Sequence, residues 1–487
     1  MVSLSDSLPL SAPLLIPISL PIFWCLFMLF IKSGNKTAPT PPGPRGLPIV
    51  GFWPFLRTDM HIQFTELARQ YGPIYKLWLG SKLCTVISSP SLIKEIVRDQ
   101  DTIFANRDST VARVGSYNGN DISFCPYDSS WRTRRKLFVH DMLSNRSLDA
   151  TFNLRKDESE CYNEHGVGNT IEGERKDKIG AAVSSLVTRS FDFMGKPNVS
   201  DYFAVLATFD IQGVEKEMSD IMQRVDEIIE DIINERTKVG GGGNKNGGRL
   251  DFLQMLLELS EKQDVKTEFG KTQIKALITD IVMGGTDTSS TTIEWVMTEF
   301  MRNPEVMEKA HKELSEVVGL NNIVEEFHIP KLVYLDAVIK ESLRIHPTGP
   351  LLIPRTPSQS CTVGGYSIPK DSAVIINIWS IQRDPLAWNN QLEFIPERFL
   401  GDSEKWDFSE NNFNYIPFGS GRRICAGLPL AERMLKYILA SLLHSFDWQL
   451  PKSERVDIKD KYGVVLRKKN PLVAIPSPRL SGKNLYV

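Results

Sequence analysis

The run Phe418-Gly419-Ser420-Gly421-Arg422-Arg423-Ile424-Cys425-Ala426-Gly427 constrains this chain more than any other. One cysteine stands between glycines and beside two arginines, and a helical pattern from Leu428 to Leu443 follows at once. A thiol needs help to ionise at neutral pH. Cationic neighbours and a helix N-terminus both lower a cysteine pKa, and this run supplies both. A thiolate placed this way is a natural axial ligand for haem iron. The competing reading, an ordinary buried cysteine beside a glycine-rich turn, leaves the patterns elsewhere in the chain unexplained.

The 487 residues carry a net charge of -2, with 41% hydrophobic and 24% charged residues, as a globular chain does. Length alone allows two or three domains. The near-neutral charge gives no reason to expect nucleic acid as a partner. Cys84, Cys125, Cys161 and Cys361 show no paired spacing and Cys25 lies in an apolar run, so these read as free thiols of a reducing compartment. The N-x-S/T triplets at Asn35, Asn145 and Asn198 would matter only in a lumenal domain. His311, His328 and His346 lack metal-ligand spacing.

From Leu8 to Ile31 there is no charged residue, and the run is long enough to cross a bilayer core of roughly 30 Å. Lys32, Lys36 and Arg45 follow it, which places the rest of the chain on the cytosolic side. Residues 1–32 therefore read as an uncleaved transmembrane anchor. The alternative is a cleaved signal peptide, for which the run is long and its charge bias reversed. Pro13, Pro17 and Pro21 would kink such a helix. Residues 33–48 contain Pro41-Pro42-Gly43-Pro44 and read as a stiff, extended hinge. Residues 49–487 form the remaining body. Strand-like stretches lie at Ile74 to Trp78, Cys84 to Ile87, Cys361 to Ile378 and Val464 to Ile475. Helical periodicity dominates elsewhere, so the class is mainly α with a smaller β-region. The run from Gly240 to Gly248 reads as a surface loop, and residues 160–180 match no pattern.

Between Thr272 and Arg302 an apolar helical pattern spans about 45 Å at roughly 1.5 Å per residue. Gly284-Gly285-Thr286-Asp287-Thr288-Ser289 sits inside it. Each glycine costs about 1 kcal/mol in a helix interior, so some local need must offset that cost. Missing side chains open a groove over whatever faces this turn; a close helix–helix contact would use small residues as well.

The cysteine run resembles the F-x-x-G-x-R-x-C-x-G signature of the cytochrome P-450 monooxygenases at every fixed position, and the resemblance extends from about residue 40 to 475. It implies one large catalytic domain with a long helix crossing above haem b. Cys425 would be the axial thiolate, and Phe418 and Gly427 would shape its loop. The Gly284 to Ser289 run resembles the family's A/G-G-x-D/E-T-T/S motif, which assigns Asp287 and Thr288 to proton delivery. Splitting the O–O bond takes two protons, and a hydroxyl beside an acid could relay them in a dry site. Trp131-Arg132-Thr133-Arg134-Arg135 resembles W-x-x-x-R, so Trp131, Arg135, Arg355 and Arg423 would hold the haem propionates. Solvated basic faces are the alternative for these arginines. Glu341-Ser342-Leu343-Arg344 resembles E-x-x-R, and with Arg398 of Pro396-Glu397-Arg398-Phe399 it would form a buried structural cluster.

The resemblance implies hydroxylation of a small hydrophobic substrate with dioxygen. No flavin or nicotinamide fingerprint lies between a strand and a helix, so electrons would come from an NADPH-dependent reductase in the endoplasmic reticulum membrane. Asp210-Ile211-Gln212-Gly213-Val214 and Gly284 through Trp295 are similar to plant enzymes that hydroxylate terpenoids or flavonoids. Expected substrate walls are the loop 106–125, the stretch 201–222, Val282, Gly284, Gly285, Leu351, Leu352, Ile353, Val464, Val465 and Leu466. The apolar character of Leu351, Leu352, Ile353, Val464, Val465 and Leu466 favours a terpenoid, with a flavonoid or phenylpropanoid as alternative. A haem-thiolate isomerase or dehydratase, or a non-catalytic haem protein, are alternatives of another class.

Overall fold

The structure is a computed structural model that describes residues 38–107, 114–151 without 116 and 118, 171–240, 252–262, 269–401, 406–408 and 412–486 without 453. The expected anchor, residues 1–32, lies outside the described residues, as do residues 160–170 and 241–248. Among the described residues no helix is long and apolar enough to cross a membrane.

The longer helices are α1 (Met60–Tyr71), α2 (Ser129–Lys136), α3 (Ile171–Met194), α4 (Val214–Gly240), α5 (Phe252–Lys262), α6 (Lys271–Arg302), α7 (Pro304–Val317), α8 (Val333–Ile345) and α9 (Leu428–Ser445). Helix α6 is the long central element expected from the periodicity, and 32 residues give it roughly 48 Å. Its two ends serve two cores. Ile274 and Leu277 pack with Ile221, Val225 and Ile229 of α4 and Leu256 of α5. Val296, Met297 and Phe300 pack with Leu314 of α7, Leu343 of α8 and Leu439 and Leu443 of α9. Each such side chain stabilises the fold by about 1.5–3 kcal/mol on burial. The glycine pair falls between these two cores.

Strand β1 (Ile74–Leu79) runs antiparallel to β2 (Lys82–Ile87), with Ile74 opposite Ile87. The hairpin β3 (Cys361–Val363) and β4 (Tyr366–Ile368) precedes β5 (Ala373–Ile376). Its two-residue turn, Gly364-Gly365, has φ of 56° and 80°, the left-handed pair that a tight hairpin of right-handed twist requires. β5 joins β2 in parallel register, Cys84 opposite Ala373. Two further antiparallel pairs are β6 (Phe446–Gln449) with β9 (Ile475–Pro478), and β7 (Asp460–Lys461) with β8 (Arg467–Lys468).

The described part of the proline-rich segment is docked on β1 and β4. Lys76 N donates to Pro42 O at 2.8 Å, and Ser367 N donates to Pro39 O at 2.9 Å. Gly43 is required by close approach, since a Cβ there would stand 1.8 Å from Lys76 O. The plant-like Asp210 to Val214 segment is a helix cap: Asp210 accepts Glu215 N at 3.1 Å and Lys216 N at 3.0 Å, which satisfies orphan donors of α4. Asn198 is buried and caps its own turn, so its triplet is no accessible glycan acceptor.

Candidate functional site

The cysteine loop is closed by Cys425 N donating to Phe418 O at 2.9 Å. Gly419 and Gly421 have φ of 73° and 71°, and a Cβ on Gly421 would meet Val97 O at 2.5 Å. Only glycine fits there. Phe418 braces the loop edge-on against Phe408, with ring centroids 4.8 Å apart. Gly427 lies at the mouth of α9, where an added Cβ would stand 3.9 Å from the Cys425 sulfur. The Cys425 thiol is accessible, although Ser420, Gly421 and Arg423 of the same loop are buried. It therefore opens on an internal cleft.

Burial pushes the Cys425 thiol up, against the Gly427 and Leu428 amides and Arg135, which pull it down. The adjacent arginines expected to help it do not. Arg422 ion-pairs with Asp101 at 3.3 Å. Arg423 donates to Ala105 O at 2.6 Å, Ile122 O at 3.0 Å and Cys125 O at 2.5 Å. Sequence adjacency fails here because Gly421–Arg423 is a tight 3-10 turn, from which the two arginine side chains leave toward different partners. The effective cation, Arg135, comes from α2, and it donates to Ile424 O at 2.6 Å.

Around this cleft the structure brings together Trp131, Arg135, Arg355 and Arg423. Trp131 Nε1 donates to Ile122 O at 2.9 Å, and the Arg423 guanidinium lies 4.5 Å from its ring centroid. Arg355 Nη2 donates to Ser420 O at 2.6 Å. Arg107, which sequence reading passed over, joins them. It donates to Pro354 O at 2.8 Å and to Ile353 O, while its buried Nε has no hydrogen-bond partner. Burial, then repulsion from Arg355 and Arg423, lowers the Arg107 pKa well below its ordinary value. Such a like-charged, desolvated group calls for an anion. The residues present fit a haem: a thiol in a cradle, arginines for two propionates, and a desolvated sulfur that a metal would ionise.

On α6, Gly284 and Gly285 are exposed inside the domain, and an added Cβ at either would meet nothing within 4 Å. Thr288 Oγ1 donates to Gly284 O at 2.5 Å, and Thr292 Oγ1 donates to Thr288 O at 2.8 Å. Asp287 turns elsewhere. Its buried carboxylate accepts Arg467 Nε at 3.0 Å and Nη2 at 2.7 Å. Asp287 and Thr288 are thus neighbours in sequence whose side chains bond to different groups.

Val282, Val464 and Val465 pack in one apolar cluster with Met283 and with Val187 and Phe191 of α3. Leu351 does not join them; it packs into the sheet core with Tyr75 and Ile375. Leu352, at φ 48°, lies against Gly419 of the cysteine loop, and Ile353 presents its carbonyl to Arg107. Val187 and Phe191 were missed because the polar stretch before α3 hides its periodicity. The sole sequence signal for Arg467 was a charge directly after an apolar run. The charges of Glu341, Arg344 and Arg398 meet in the body below, with Arg344 Nε donating to Glu341 Oε2 at 2.7 Å and Arg398 Nε to Oε1 at 3.3 Å.

A family profile described as cytochrome P-450 matches residues 41–165 and 169–475. A flavonoid 3'-monooxygenase of Crocosmia x crocosmiiflora is 36% identical, with 94% of this chain and 96% of the relative covered. A ferruginol synthase of Salvia fruticosa is 36% identical, with 92% and 96% covered. Among solved structures, a zebra fish cytochrome P-450 with abiraterone superposes with a TM-score of 0.67 at 24% identity, covering 86% of this chain and 99% of that one, a likeness of fold.

Proposed function

The chain belongs to the cytochrome P-450 family, as a haem-thiolate monooxygenase of plant specialised metabolism, and from that premise we propose that it hydroxylates a small apolar terpenoid. The family brings dioxygen and an electron-donating reductase as partners. Haem, when bound, supplies the oxygen-activating chemistry, while the chain's residues orient the substrate and move protons.

The observation that carries the substrate reading is the cluster of Val187, Phe191, Val282, Met283, Val464 and Val465. It lies beside the turn that Gly284 and Gly285 leave open. All six are apolar. A flavonoid carries several hydroxyl groups, and burying them against such a wall would leave them unpaired at about 1–3 kcal/mol each. A hydrocarbon skeleton incurs no such cost. The names of the relatives at equal identity, a flavonoid 3'-monooxygenase and a ferruginol synthase, do not separate the two classes.

Cys425 is the thiolate ligand in this reading, and Arg107, Trp131, Arg135, Arg355 and Arg423 hold the propionates. Thr288, on Gly284 O, and Asp287 deliver the protons in this reading, although the Asp287 carboxylate is bonded to Arg467 and not to Thr288. The electron donor is an NADPH-dependent reductase of the endoplasmic reticulum, to which residues 1–32 anchor the chain. Holoprotein, reductase and NADPH incubated with terpenes and with flavonoids should yield a product heavier by one oxygen from a terpene. Turnover of flavonoids alone would overturn the substrate assignment. In the same assay Thr288→Ala should keep NADPH consumption but lower product per NADPH by about 10-fold or more, the low side of a positioned proton donor's contribution. Unchanged coupling would place the relay elsewhere.

A further inference from the structure

We propose that Arg467 is a specificity-determining positioning residue: it clamps the wall formed by Val464 and Val465 to α6 and α3, with Asp287 as its main anchor. The wall itself rests on the substrate reading above; the clamp rests on geometry alone.

Residues 462–466 form the connection between β7 and β8, and each of those strands is two residues long. A ladder that short cannot hold its connection in one place. Tertiary contacts do so instead. Leu466 N donates to Thr348 O at 2.8 Å, and Trp295 Nε1 donates to Leu466 O at 2.9 Å. Arg467 adds the polar fastening. Its Nε lies 3.0 Å from both Asp287 oxygens, and Nη2 lies 2.7 Å from Oδ2. Its Nη1 donates to Asp192 Oδ1 at 2.6 Å, and its Nη2 also reaches Thr188 O at 3.2 Å. Thr188 and Asp192 belong to α3 and Asp287 to α6, so one guanidinium joins the two helices that flank the wall. Lys461 closes the outer end on Asp192 at 3.2 Å.

The backbones touch at the same place. A Cβ on Gly195 would stand 2.8 Å from Val464 N and 2.9 Å from Gly463 Cα, so α3 ends directly against the wall. Arg467 is 16% exposed and Asp287 6%, and a fork-to-carboxylate pair this dry fixes direction as well as distance. A lysine offers a single ammonium and cannot span two carboxylates from two helices. The acid nearest the open turn and the apolar wall therefore move as one body, and the orientation of a substrate follows Arg467 although the residue need not touch it.

The test uses the full chain with haem. Hydrogen exchange of residues 460–469 in Arg467→Gln should quicken by about tenfold or more, while residues 296–300 in the far core keep their protection. The ratio of products from the terpene turned over by the parent should change, and Arg467→Lys should restore it partly at most. Thr288→Ala should leave the exchange unchanged. Unchanged exchange in Arg467→Gln would overturn the clamp. Quickened exchange with an unchanged product ratio would overturn its role in orientation. If Val465→Phe leaves the products untouched while Arg467→Gln quickens exchange, the clamp stands and the substrate wall falls.

Discussion

Cys425→Ser is expected to abolish the carbon monoxide difference spectrum of a thiolate ligand and to lower turnover by at least about 100-fold, beyond the 10–100-fold that an outer partner of a metal site is worth. The sulfur opens on an internal cleft, with the Gly427 and Leu428 amides and Arg135 favouring its anion. Burial outweighs them and pushes the thiol up, so a metal cation decides its ionisation. A serine hydroxyl ionises far less readily and cannot take that charge. The replacement removes little volume, so the loop should survive: Cys425 N still reaches Phe418 O, and Gly419 and Gly421 still make their turns. Serine protein that retained the thiolate spectrum would refute the ligand assignment. A folded protein with that spectrum lost would separate ligation from stability.

The second large effect is on stability. Glu341→Gln should lower the unfolding free energy by about 3–5 kcal/mol in denaturant titration, the cost of breaking a buried ion pair from one side. Glu341 and Arg344 are both 0% exposed. Arg344 donates to Glu341 at 2.7 and 2.8 Å, to Gln382 O at 2.9 Å, to Gln391 O at 2.8 Å and to Glu393 O at 3.1 Å. Glu341 Oε1 in turn accepts Ile395 N at 2.9 Å. One pair thus ties α8 to the whole segment 382–395. Gln382 carries the tie onward, accepting Ile416 N at 3.3 Å just before the cysteine loop. The glutamine variant keeps the shape and removes the charge, leaving Arg344 buried beside a neutral amide. Arg398→Ala should cost less, because it leaves the Glu341–Arg344 pair intact and gives up one 3.3 Å bond to Glu341 and one 2.8 Å bond to Asn390 O. The double variant Glu341→Gln, Arg344→Gln should cost less than the sum of its parts. Additive losses would show that the two charges do not depend on one another.

Much of the site could be read before the fold was known. The cysteine run announces its loop because its glycines answer to left-handed φ and a close approach to Val97, constraints that act within a few residues. The glycine pair announces an open turn because nothing else excuses its cost in a helix. Glu341 and Arg344 lie three apart on α8 and so had to be neighbours. Adjacent residues misled in two places. Arg422 and Arg423 looked like the thiol's cations, yet they serve Asp101 and a set of backbone carbonyls. Leu351 looked like part of the wall because it stands in the apolar run Leu351-Leu352-Ile353, yet it packs into the sheet core.

Sequence by itself determined the central helix, the turns of the cysteine loop, the sulfur that faces the cleft and the pairing along α8. Each depends on spacing within one or two turns, where geometry leaves few choices. Tertiary structure alone decided that Arg135 serves the thiol, that Arg107 lies beside Arg355 and Arg423, that α3 supplies Val187 and Phe191 to the apolar cluster and that Arg467 is bonded to Asp287. Those partners come from distant parts of the chain, and no local period records which way a long side chain turns once several carbonyls and carboxylates lie within its reach.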